Sequence, residues 1–399
     1  MRKGGTFSKT MSYQRSEDRN PRQKPAIQGF IDAAPDKTLL LVVIFLIMTG
    51  FLAIFSATAQ ESLIKSGNPA QFLLKQVLAF VLGFIGMKFF AGYDYKKLAQ
   101  WNNIYLFVVI VLLILVAFTP LGVNVNGATR WINICGFQLQ PSEFAKPAVV
   151  LLLASVFRED ADIFDKSKWI FAFIPIAVML YLIFEQPNLS MDILLLSTSV
   201  VMFLCADGSK RLFFSLVGAG IASLALIIKP YQLSRLQIWL HPETDPQGAG
   251  YNIIQSLMAF ACGGLTGVGY GGSLQKVKCL PECHTDFIFA VIGEELGWIG
   301  CLLVIGLFFT FIQRGFIIAG RCPDMYGKLL AVGLTFSIGF QAFLNMSVAS
   351  SFFPTTGVPL PFISYGGSSL VVSMCMVGIL LNISRKKIKK IRNVNESAK

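Results

Sequence analysis

Apolar segments of about 20 residues alternate with polar connections along most of the chain. A hydrocarbon core about 30 Å thick needs roughly 20 apolar residues to be crossed by a helix. The pattern therefore predicts an all-α polytopic membrane protein with ten transmembrane helices. The predicted spans are 38–57, 71–90, 102–119, 142–157, 169–184, 190–206, 212–229, 286–312, 328–349 and 361–383. Because ten is an even number, both termini are expected on the same side of the membrane.

One connection is far longer than the others: residues 230–285, between predicted helices 7 and 8. Loops longer than about 15 residues are usually functional, so we expect a lid or platform here. Within it, "GVGYGG" satisfies the pattern G-x-G-x-x-G at Gly267, Gly269 and Gly272. That pattern indicates a dinucleotide site only between a strand and a helix, a context that this connection lacks. The glycines are instead expected to permit tight turns and close backbone approach.

Basic residues are concentrated at the two ends of the chain, with eight Lys and Arg in the first 37 positions and seven from Arg385 to Lys399. The positive-inside rule places these ends in the cytoplasm. The predicted organisation is a disordered basic tail over 1–37, a membrane domain over 38–383 with an extracytoplasmic connection at 230–285, and a basic cytoplasmic tail over 384–399. Since the chain is 54% hydrophobic, its net charge of +12 indicates orientation in a membrane and not nucleic-acid binding.

The residues that usually bind metals show no ligand-like spacing. Only two His occur in the chain, which argues against a His-rich metal site, and the eight Cys are scattered. Cys279 and Cys283 are close enough in sequence to form a disulfide, although unpaired thiols are favoured. The identity of any bound metal stays open.

Charged residues inside predicted spans are costly and tend to face a cavity or a partner. Glu143 and Lys146 are three residues apart on one helix face and can neutralise each other. A structural ion pair is the alternative to a functional role. Just upstream, Arg130 and Trp131 stand side by side in "NGATRWI". They could anchor the helix at the interface, or grip a phosphate while the ring stacks on a sugar.

The segment "ECHTDFIFAVIGEELGWIG" places Asp286 at the mouth of a predicted helix and Glu294 and Glu295 deeper inside it. Asp286 and Glu294 are about 12 Å apart along a helix axis, whereas paired glycosidase carboxylates need roughly 5–9.5 Å. A two-carboxylate hydrolase is therefore disfavoured. Asp286 could simply cap the helix. It could also be a general base beside cations that hold a departing diphosphate, and Arg130, Lys146 and Arg235 are the candidate cations.

Five blocks together resemble the signature of the SEDS family (shape, elongation, division and sporulation), typified by FtsW and RodA. In chain order these are "NGATRWI", "QPSEFAKP", "GYNIIQSLMAFACGGLTGVGYGG", "LPECHTDFIFAVIGEELGWIG" and "PTTGVPLPFISYGGSSL". The resemblance covers about residues 39–383 and slightly favours the FtsW type. It implies a ten-helix inner-membrane enzyme that polymerises lipid II, a lipid-linked disaccharide-peptide, into peptidoglycan glycan strands.

The resemblance also implies roles for individual residues. Asp286 corresponds to the essential carboxylate of the family and is interpreted as the general base on the acceptor 4-hydroxyl. The predicted substrate-binding residues are Arg130, Trp131, Lys146, Arg235, Gln255, His284, Ser364 and Tyr365, supported by Glu143, Glu294 and Glu295. Two departures from the commonest family pattern are Asn188 and Ser190 in "EQPNLSMD", where an acid and a glycine are frequent. A third is Thr356, where many division-type members have Lys.

The implied partners are lipid II, undecaprenyl diphosphate-linked glycan, a class B penicillin-binding protein as transpeptidase, membrane lipid, and other divisome or elongasome membrane proteins. A divalent cation, Mg²⁺ or Mn²⁺, stays open as a cofactor, as does the choice between division and elongation. Two other functions fit the same topology: a flippase that moves the lipid-linked precursor across the bilayer, and a scaffold that recruits division proteins. The long outer connection ending at an exposed Asp favours the enzyme.

Overall fold

The protein is described here from a computed structural model. It covers residues 30–32, 34–125, 128–134, 137–158, 166–206, 230–248, 250–273 and 283–388. Predicted span 212–229 lies outside these ranges, as do Cys279 and most of both tails. The other nine predicted spans all coincide with helices of the described chain.

The first six helices correspond closely to the first six predicted spans. They are α1 (Lys37–Ser66), α2 (Gln71–Gly92), α3 (Tyr95–Phe118), α4 (Pro141–Val156), α5 (Lys166–Glu185) and α6 (Leu189–Cys205). Helix α1 runs nine residues beyond its predicted end, and α3 begins seven residues before its predicted start. The ends of these two helices carry polar residues. Because the predicted spans were drawn from hydropathy, they stopped short of these residues although the backbone stays helical there.

The long connection contains regular structure that its Gly-rich sequence did not predict. It holds α7 (Pro230–Leu240), a short 3₁₀ turn (Pro242–Thr244) and α8 (Tyr251–Gly263). Three long helices follow: α9 (Ile288–Arg321), α10 (Met325–Ala349) and α11 (Gly367–Arg385). The polytopic all-helical architecture predicted from the sequence is thus confirmed. Six helices of the described ranges are long and apolar enough to span a membrane, and α5 and α6 contain shorter apolar stretches.

Helices α10 and α11 form the centre of the bundle, since 78% and 83% of their most apolar stretches are buried. Helix α4 is buried along almost its whole length. The main contacts are α2 with α11, α9 with α10, and α3 with α4. Helices α1, α2, α3 and α9 expose large apolar side chains, such as Phe45, Phe107 and Phe309. Such surfaces are stable where the surrounding solvent is lipid, because each helix satisfies its own backbone hydrogen bonds.

Two small sheets accompany the helices. A three-stranded antiparallel sheet of β2 (Gly122–Val125), β3 (Ala128–Ile134) and β4 (Phe137–Leu139) fills the α3–α4 connection. A second, two-stranded sheet pairs β1 (Phe30–Asp32) antiparallel with β5 (Lys386–Ile388). Both strands of this second sheet lie within the predicted tails. Residues 30–32 therefore pair with a segment of the other predicted tail.

Helix α9 is broken at Gly297, whose φ is 66° and ψ −165°. At the break, backbone groups of α9 exchange hydrogen bonds with the turn that follows α8. The bonds run from Val268 to Glu294, Gly269 to Glu295, Trp298 to Gly264 and Ile299 to Leu265, at 3.0–3.3 Å. We call this arrangement the α9 clasp. It supplies partners for the backbone groups that the break releases, as a low-dielectric surrounding requires.

The clasp explains the first glycine of "GVGYGG". Gly267 has a φ of 79°, and a Cβ there would overlap the carbonyl oxygen of Glu295. A Cβ on Gly297 would likewise meet the backbone nitrogen of Gly267. The close backbone approach expected from the sequence is thus found at Gly267, and Gly297 shows it as well.

Candidate active site

Arg130 is held in β3 with its side chain directed towards the α5–α6 connection. Its Nε donates a hydrogen bond to the carbonyl oxygen of Gln186 at 3.2 Å, and its Nη2 donates to the carbonyl oxygen of Pro187. The residue is only 8% exposed. Trp131 follows it, pairs with Val123 across the sheet and is partly exposed. The register of β2 and β3 shifts between the pairs Val123–Trp131 and Asn124–Thr129, which leaves Arg130 without a partner residue on β2.

Asp286 lies in the turn of residues 283–287 that leads into α9, which we call the Asp286 turn. The N-cap of α9 is Phe287, so Asp286 is not the cap residue that helix statistics would suggest. Its carbonyl oxygen accepts a hydrogen bond from Asn345 Nδ2 at 2.9 Å. The same amide group donates to the carbonyl oxygen of Val358 at 2.8 Å. Asn345 thus ties the Asp286 turn to the α10–α11 loop, residues 350–366.

Arg130 and Asp286 converge on Gly357 in the α10–α11 loop. An ideal Cβ at Gly357 would lie 3.4 Å from Arg130 Nη1 and 3.5 Å from Asp286 Oδ2. Gly357 has a φ of 71°, a left-handed conformation that favours glycine. A cation and a carboxylate from distant parts of the sequence therefore approach the same point. Asp286 is partly exposed, so a ligand can reach it.

Lys146 and Glu143 form a fully buried ion pair in α4. Lys146 Nζ is 2.5 Å from Glu143 Oε2, and both side chains have no solvent exposure. The same Nζ donates to Gln341 Oε1 at 2.5 Å. Gln341 Nε2 in turn donates to the carbonyl oxygen of Pro359 at 2.9 Å. In this conformation Lys146 therefore reaches the α10–α11 loop through Gln341.

Arg235 is an exposed cation that contacts the α10–α11 loop. It lies on α7, and its Nη1 donates to the carbonyl oxygen of Thr355 at 3.3 Å. Gln255 is partly exposed on α8. Within the described ranges, no hydrogen bond joins Gln255 to the Asp286 turn.

His284, Tyr365 and Phe72 form an aromatic cluster beside the Asp286 turn. The ring centroid of Phe72 lies 5.3 Å from that of His284 and 5.2 Å from that of Tyr365, and both pairs are edge-to-face. Such pairs add about 0.5–1.5 kcal/mol beyond their burial. The backbone N–H of Tyr365 also donates to the carbonyl oxygen of His284 at 2.9 Å. Burial raises the pKa of the Tyr365 hydroxyl above its ordinary value, so this group stays protonated at neutral pH.

Ser364 bonds to backbone on both sides. Its hydroxyl donates to the carbonyl oxygen of Thr285 at 2.5 Å and accepts from the N–H of Leu360 at 2.8 Å. Ser364 is 4% exposed. The hydroxyl thus fixes the backbone immediately before Asp286.

Glu294 and Glu295 lie beneath the site, at the α9 clasp. Both are buried. Glu294 accepts a hydrogen bond from the hydroxyl of Ser273, and Glu295 accepts one from Ser56 of α1 at 2.5 Å. Through these bonds the two carboxylates connect α9 to its neighbours.

Two of the residues that depart from the family pattern, Ser190 and Thr356, contact each other, and the third, Asn188, contacts α4. Ser190 Oγ donates to the carbonyl oxygen of Thr356 at 2.8 Å. Asn188 Nδ2 donates to Ser142 Oγ at 3.4 Å, at the start of α4. The α5–α6 connection therefore contacts both the α10–α11 loop and α4.

Three contributors escaped the sequence interpretation: Gly357, Asn345 and Phe72. For Asn345 a signal was present, because an amide side chain inside a membrane helix seeks a polar partner. Gly357 stands in a quoted motif but has no side chain that would indicate a role. Phe72 is one of 35 Phe in the chain, so nothing in the sequence distinguishes it. As for metals, no group of three or more His, Cys, Asp or Glu within the described ranges is arranged to hold an ion.

The chain matches the family model for FtsW, RodA and SpoVE, described as "Cell cycle protein", over residues 37–389. It therefore belongs to this family, as the five sequence blocks predicted. It is 39% identical to the "Probable peptidoglycan glycosyltransferase FtsW" of Trichlorobacter lovleyi, covering 88% of this chain and 93% of the relative. It is 37% identical to the stage V sporulation protein E of Bacillus subtilis, covering 88% and 97%.

Solved structures show the same fold. The chain is similar to one from a peptidoglycan synthase complex, studied for the coordination of polymerisation and crosslinking. The two chains are 27% identical with a TM-score of 0.73, covering 88% of this chain and 98% of the other. The rod shape determining protein RodA of Thermus thermophilus is 25% identical with a TM-score of 0.66, covering 88% and 97%. These findings confirm the predicted family, the FtsW type and the multi-pass membrane architecture.

Proposed function

We propose that this chain polymerises lipid II into glycan strands at the outer face of the bacterial cytoplasmic membrane. The enzyme class predicted from the sequence, peptidoglycan glycosyltransferase, is confirmed by the relatives that carry this name over most of their length. The observation that carries the mechanism is the convergence of Asp286 and Arg130 on Gly357. A carboxylate base and a cation at one accessible point suit a glycosyl transfer. The base can accept the proton of the attacking hydroxyl, and the cation can bind the departing diphosphate.

In the proposed reaction, Asp286 accepts the proton of the acceptor sugar's 4-hydroxyl. The hydroxyl oxygen forms a bond to the anomeric carbon of the donor sugar with inversion. The bond from that carbon to the diphosphate breaks, and undecaprenyl diphosphate leaves with the electron pair. A positioned base contributes about 10²–10⁴-fold to such a step.

The cations are assigned by their contacts. Arg130 meets Asp286 beside Gly357, and its guanidinium is held in place by the carbonyl groups of Gln186 and Pro187. Arginine binds diphosphate oxygens in a bidentate fashion, so Arg130 is the proposed partner of the leaving group. Arg235 is exposed beside Thr355 and is proposed to bind an incoming headgroup. Lys146 would have to exchange its bonds to Glu143 and Gln341 before it could touch a substrate.

The remaining predicted residues form the walls of the proposed site. Trp131 and Gln255 are partly exposed and are proposed to contact sugar or peptide. His284 and Tyr365 hold the Asp286 turn through the aromatic cluster, and Ser364 fixes its backbone. No step of the proposed reaction is assigned to a metal.

The proposed orientation places both termini in the cytoplasm of the cell. The pairing of β1 with β5 supports it, because residues 30–32 and 386–388 emerge at one end of the bundle. The clusters of Lys and Arg near both termini favour the cytoplasm for that end. The Asp286 turn, at the opposite end of α9 from Arg321, then faces the outer surface.

The proposed partner is a class B penicillin-binding protein that crosslinks the strands. The similarity to a chain of a peptidoglycan synthase complex supports this partner. Because the chain is of the FtsW type, other membrane proteins of the division machinery are proposed as further partners.

The proposal is tested with purified protein and lipid II, with and without its transpeptidase. We expect glycan polymer with undecaprenyl diphosphate released in proportion. Vesicles that carry labelled lipid II in one leaflet provide the comparison with a flippase. Translocation of lipid II without polymer, from well-folded protein, would replace the glycosyltransferase with the flippase.

A further inference from the structure

A polar cavity of about 190 Å³ lies at the end of the bundle opposite to Asp286. It is lined by residues preceding and opening α1, by the last turns of α9 and by Ser384 near the end of α11. The charged residues of its wall are Asp36, Lys37, Arg314 and Arg321. The distance along α9 from Asp286 to Arg314 is about 40 Å at the rise of a helix. The cavity is therefore separate from the proposed active site.

Three cations face a single carboxylate in this wall. Arg314 Nη2 donates to Asp36 Oδ2. Burial alone would raise the pKa of Asp36, but the hydrogen bond and charge of Arg314 and the N–H of Leu39 outweigh burial and bring the pKa below its ordinary value of 3.8. Asp36 is thus ionised at neutral pH and cancels one positive charge. Lys37 and Arg321 supply two more.

Both arginines of the cavity wall have N–H groups that donate no hydrogen bond to a described residue. The buried Nε of Arg314 has no hydrogen-bond partner among the described residues. Arg321 is exposed and forms no ion pair within the described ranges. A buried donor without a partner costs about 1–3 kcal/mol. An anion with several acceptor oxygens would satisfy both guanidinium groups at once.

We propose that this cavity binds the phosphate ester of an anionic ligand, with the inner-leaflet phospholipids as its natural source. The cavity is smaller than the roughly 300 Å³ at which pockets for whole small molecules begin, so it suits a headgroup. It lies where α1 begins and where α9 and α11 end. Basic pockets between transmembrane helices on the cytoplasmic side bind anionic lipid headgroups in this way. The assignment to the inner leaflet rests on the proposed orientation.

Asp36 has a second role in this site, since it competes with the ligand for Arg314. Its Oδ1 also accepts from the N–H of Leu39 at 2.9 Å and caps α1. Asn caps helices about as well as Asp. Asp36→Asn therefore keeps the cap, removes the competing charge and should increase anion binding.

The test titrates the full-length protein, in micelles of a neutral detergent, with two probes. Phosphatidylglycerol represents the lipid source, and glycerol 3-phosphate represents a soluble source. Binding is measured by mass spectrometry of the intact complexes and by thermal unfolding. Arg321→Gln should weaken binding about fivefold, the effect of one basic residue near a charged membrane surface. Asp36→Asn should strengthen it. Lys88→Gln, an exposed charge on α2 that does not line the cavity, is the matched control.

Weaker binding in Arg321→Gln and tighter binding in Asp36→Asn support the site, and the probe that binds identifies the source. Equal binding by wild type and Arg321→Gln would overturn it. The same loss in Lys88→Gln would also overturn it, because the effect would then be one of net charge. Failure of both probes to bind the wild type would exclude a phosphate-ester site.

Discussion

Arg130 Nη1 and Asp286 Oδ2 approach one point beside Gly357, within 3.4 and 3.5 Å of where its Cβ would stand. The two residues are far apart in sequence, and each is fixed by other contacts. Arg130 is held by the α5–α6 connection, and the Asp286 turn is held by Asn345 and Ser364. The α10–α11 loop brings the two anchored groups together.

The first prediction concerns Gly357→Ala. The new methyl would enter the space between base and cation, and a left-handed residue costs about 1–2 kcal/mol in strain. We expect polymerisation to fall by about 10²-fold, as when reacting groups are displaced, with only a small loss of stability.

The control for this variant is Gly366→Ala in the same loop. Gly366 has no positive φ, and its nearest atoms would lie 3.7 and 4.0 Å from a new Cβ. It should keep its activity. Equal activity of the two variants at matched folded protein would mean that the space beside Gly357 is not used.

The second prediction concerns the buried pair of Glu143 and Lys146. Glu143→Ala leaves a buried ammonium group without its carboxylate and should cost about 3–5 kcal/mol in unfolding free energy. The double variant Glu143→Leu with Lys146→Met should recover most of this loss. Chemical unfolding of the three proteins measures both effects.

Activity of the double variant then isolates the role of Lys146. We expect slower polymerisation, because Gln341 loses the donor that orients its bond to Pro359 in the α10–α11 loop. A stable double variant with full turnover would show that Lys146 is only structural.

The third prediction concerns the α9 clasp. Ala at Gly267 would both strain the backbone and overlap Glu295, and should prevent closure of the clasp. Gly271 has a similar φ of 82°, but nothing lies within 4 Å of its Cβ position. Gly271→Ala should therefore cost only the strain, about 1–2 kcal/mol. Thermal unfolding should rank Gly267→Ala well below Gly271→Ala. The reverse order would contradict the clasp.

The fourth prediction concerns orientation. Reporter domains fused after Lys399 and within 240–280 should report the cytoplasm and the exterior, respectively. The pairing of β1 and β5 requires the two termini to agree, so a reporter at the N-terminus should match the one after Lys399. If the reporters after Lys399 and within 240–280 were found on the same side of the membrane, the predicted number of transmembrane helices between them would be wrong.

Much of the fold could be predicted because a membrane imposes one simple rule on sequence. Runs of about 20 apolar residues revealed nine of the described helices. The break at Gly297 was hidden, since a glycine in an apolar run does not change hydropathy. The β2–β4 sheet was hidden as well, because two of its three strands have only four and three residues, too few for an alternating pattern to be recognised.

The candidate site was only partly readable for a related reason. Asp286 and Arg130 are charged residues of two of the quoted motif blocks, so the sequence finds them. Their relation depends on Gly357 and Asn345, which act through backbone position and a hydrogen bond. For Lys146 the sequence left open a substrate contact and an ion pair with Glu143, because the burial of this side chain depends on how α4 packs against α10.

The central claim is that Asp286 is the general base, and polymer formation by Asp286→Asn tests it most directly. Asn preserves size but does not accept a proton at neutral pH. With the transpeptidase present and folded protein matched, polymerisation should fall by about 10²–10⁴-fold, while lipid II binding is retained through Arg130 and Arg235. Asp245→Asn, the same change in the long connection between predicted helices 7 and 8, should stay active. An Asp286→Asn variant that polymerises lipid II at the wild-type rate would contradict the mechanism.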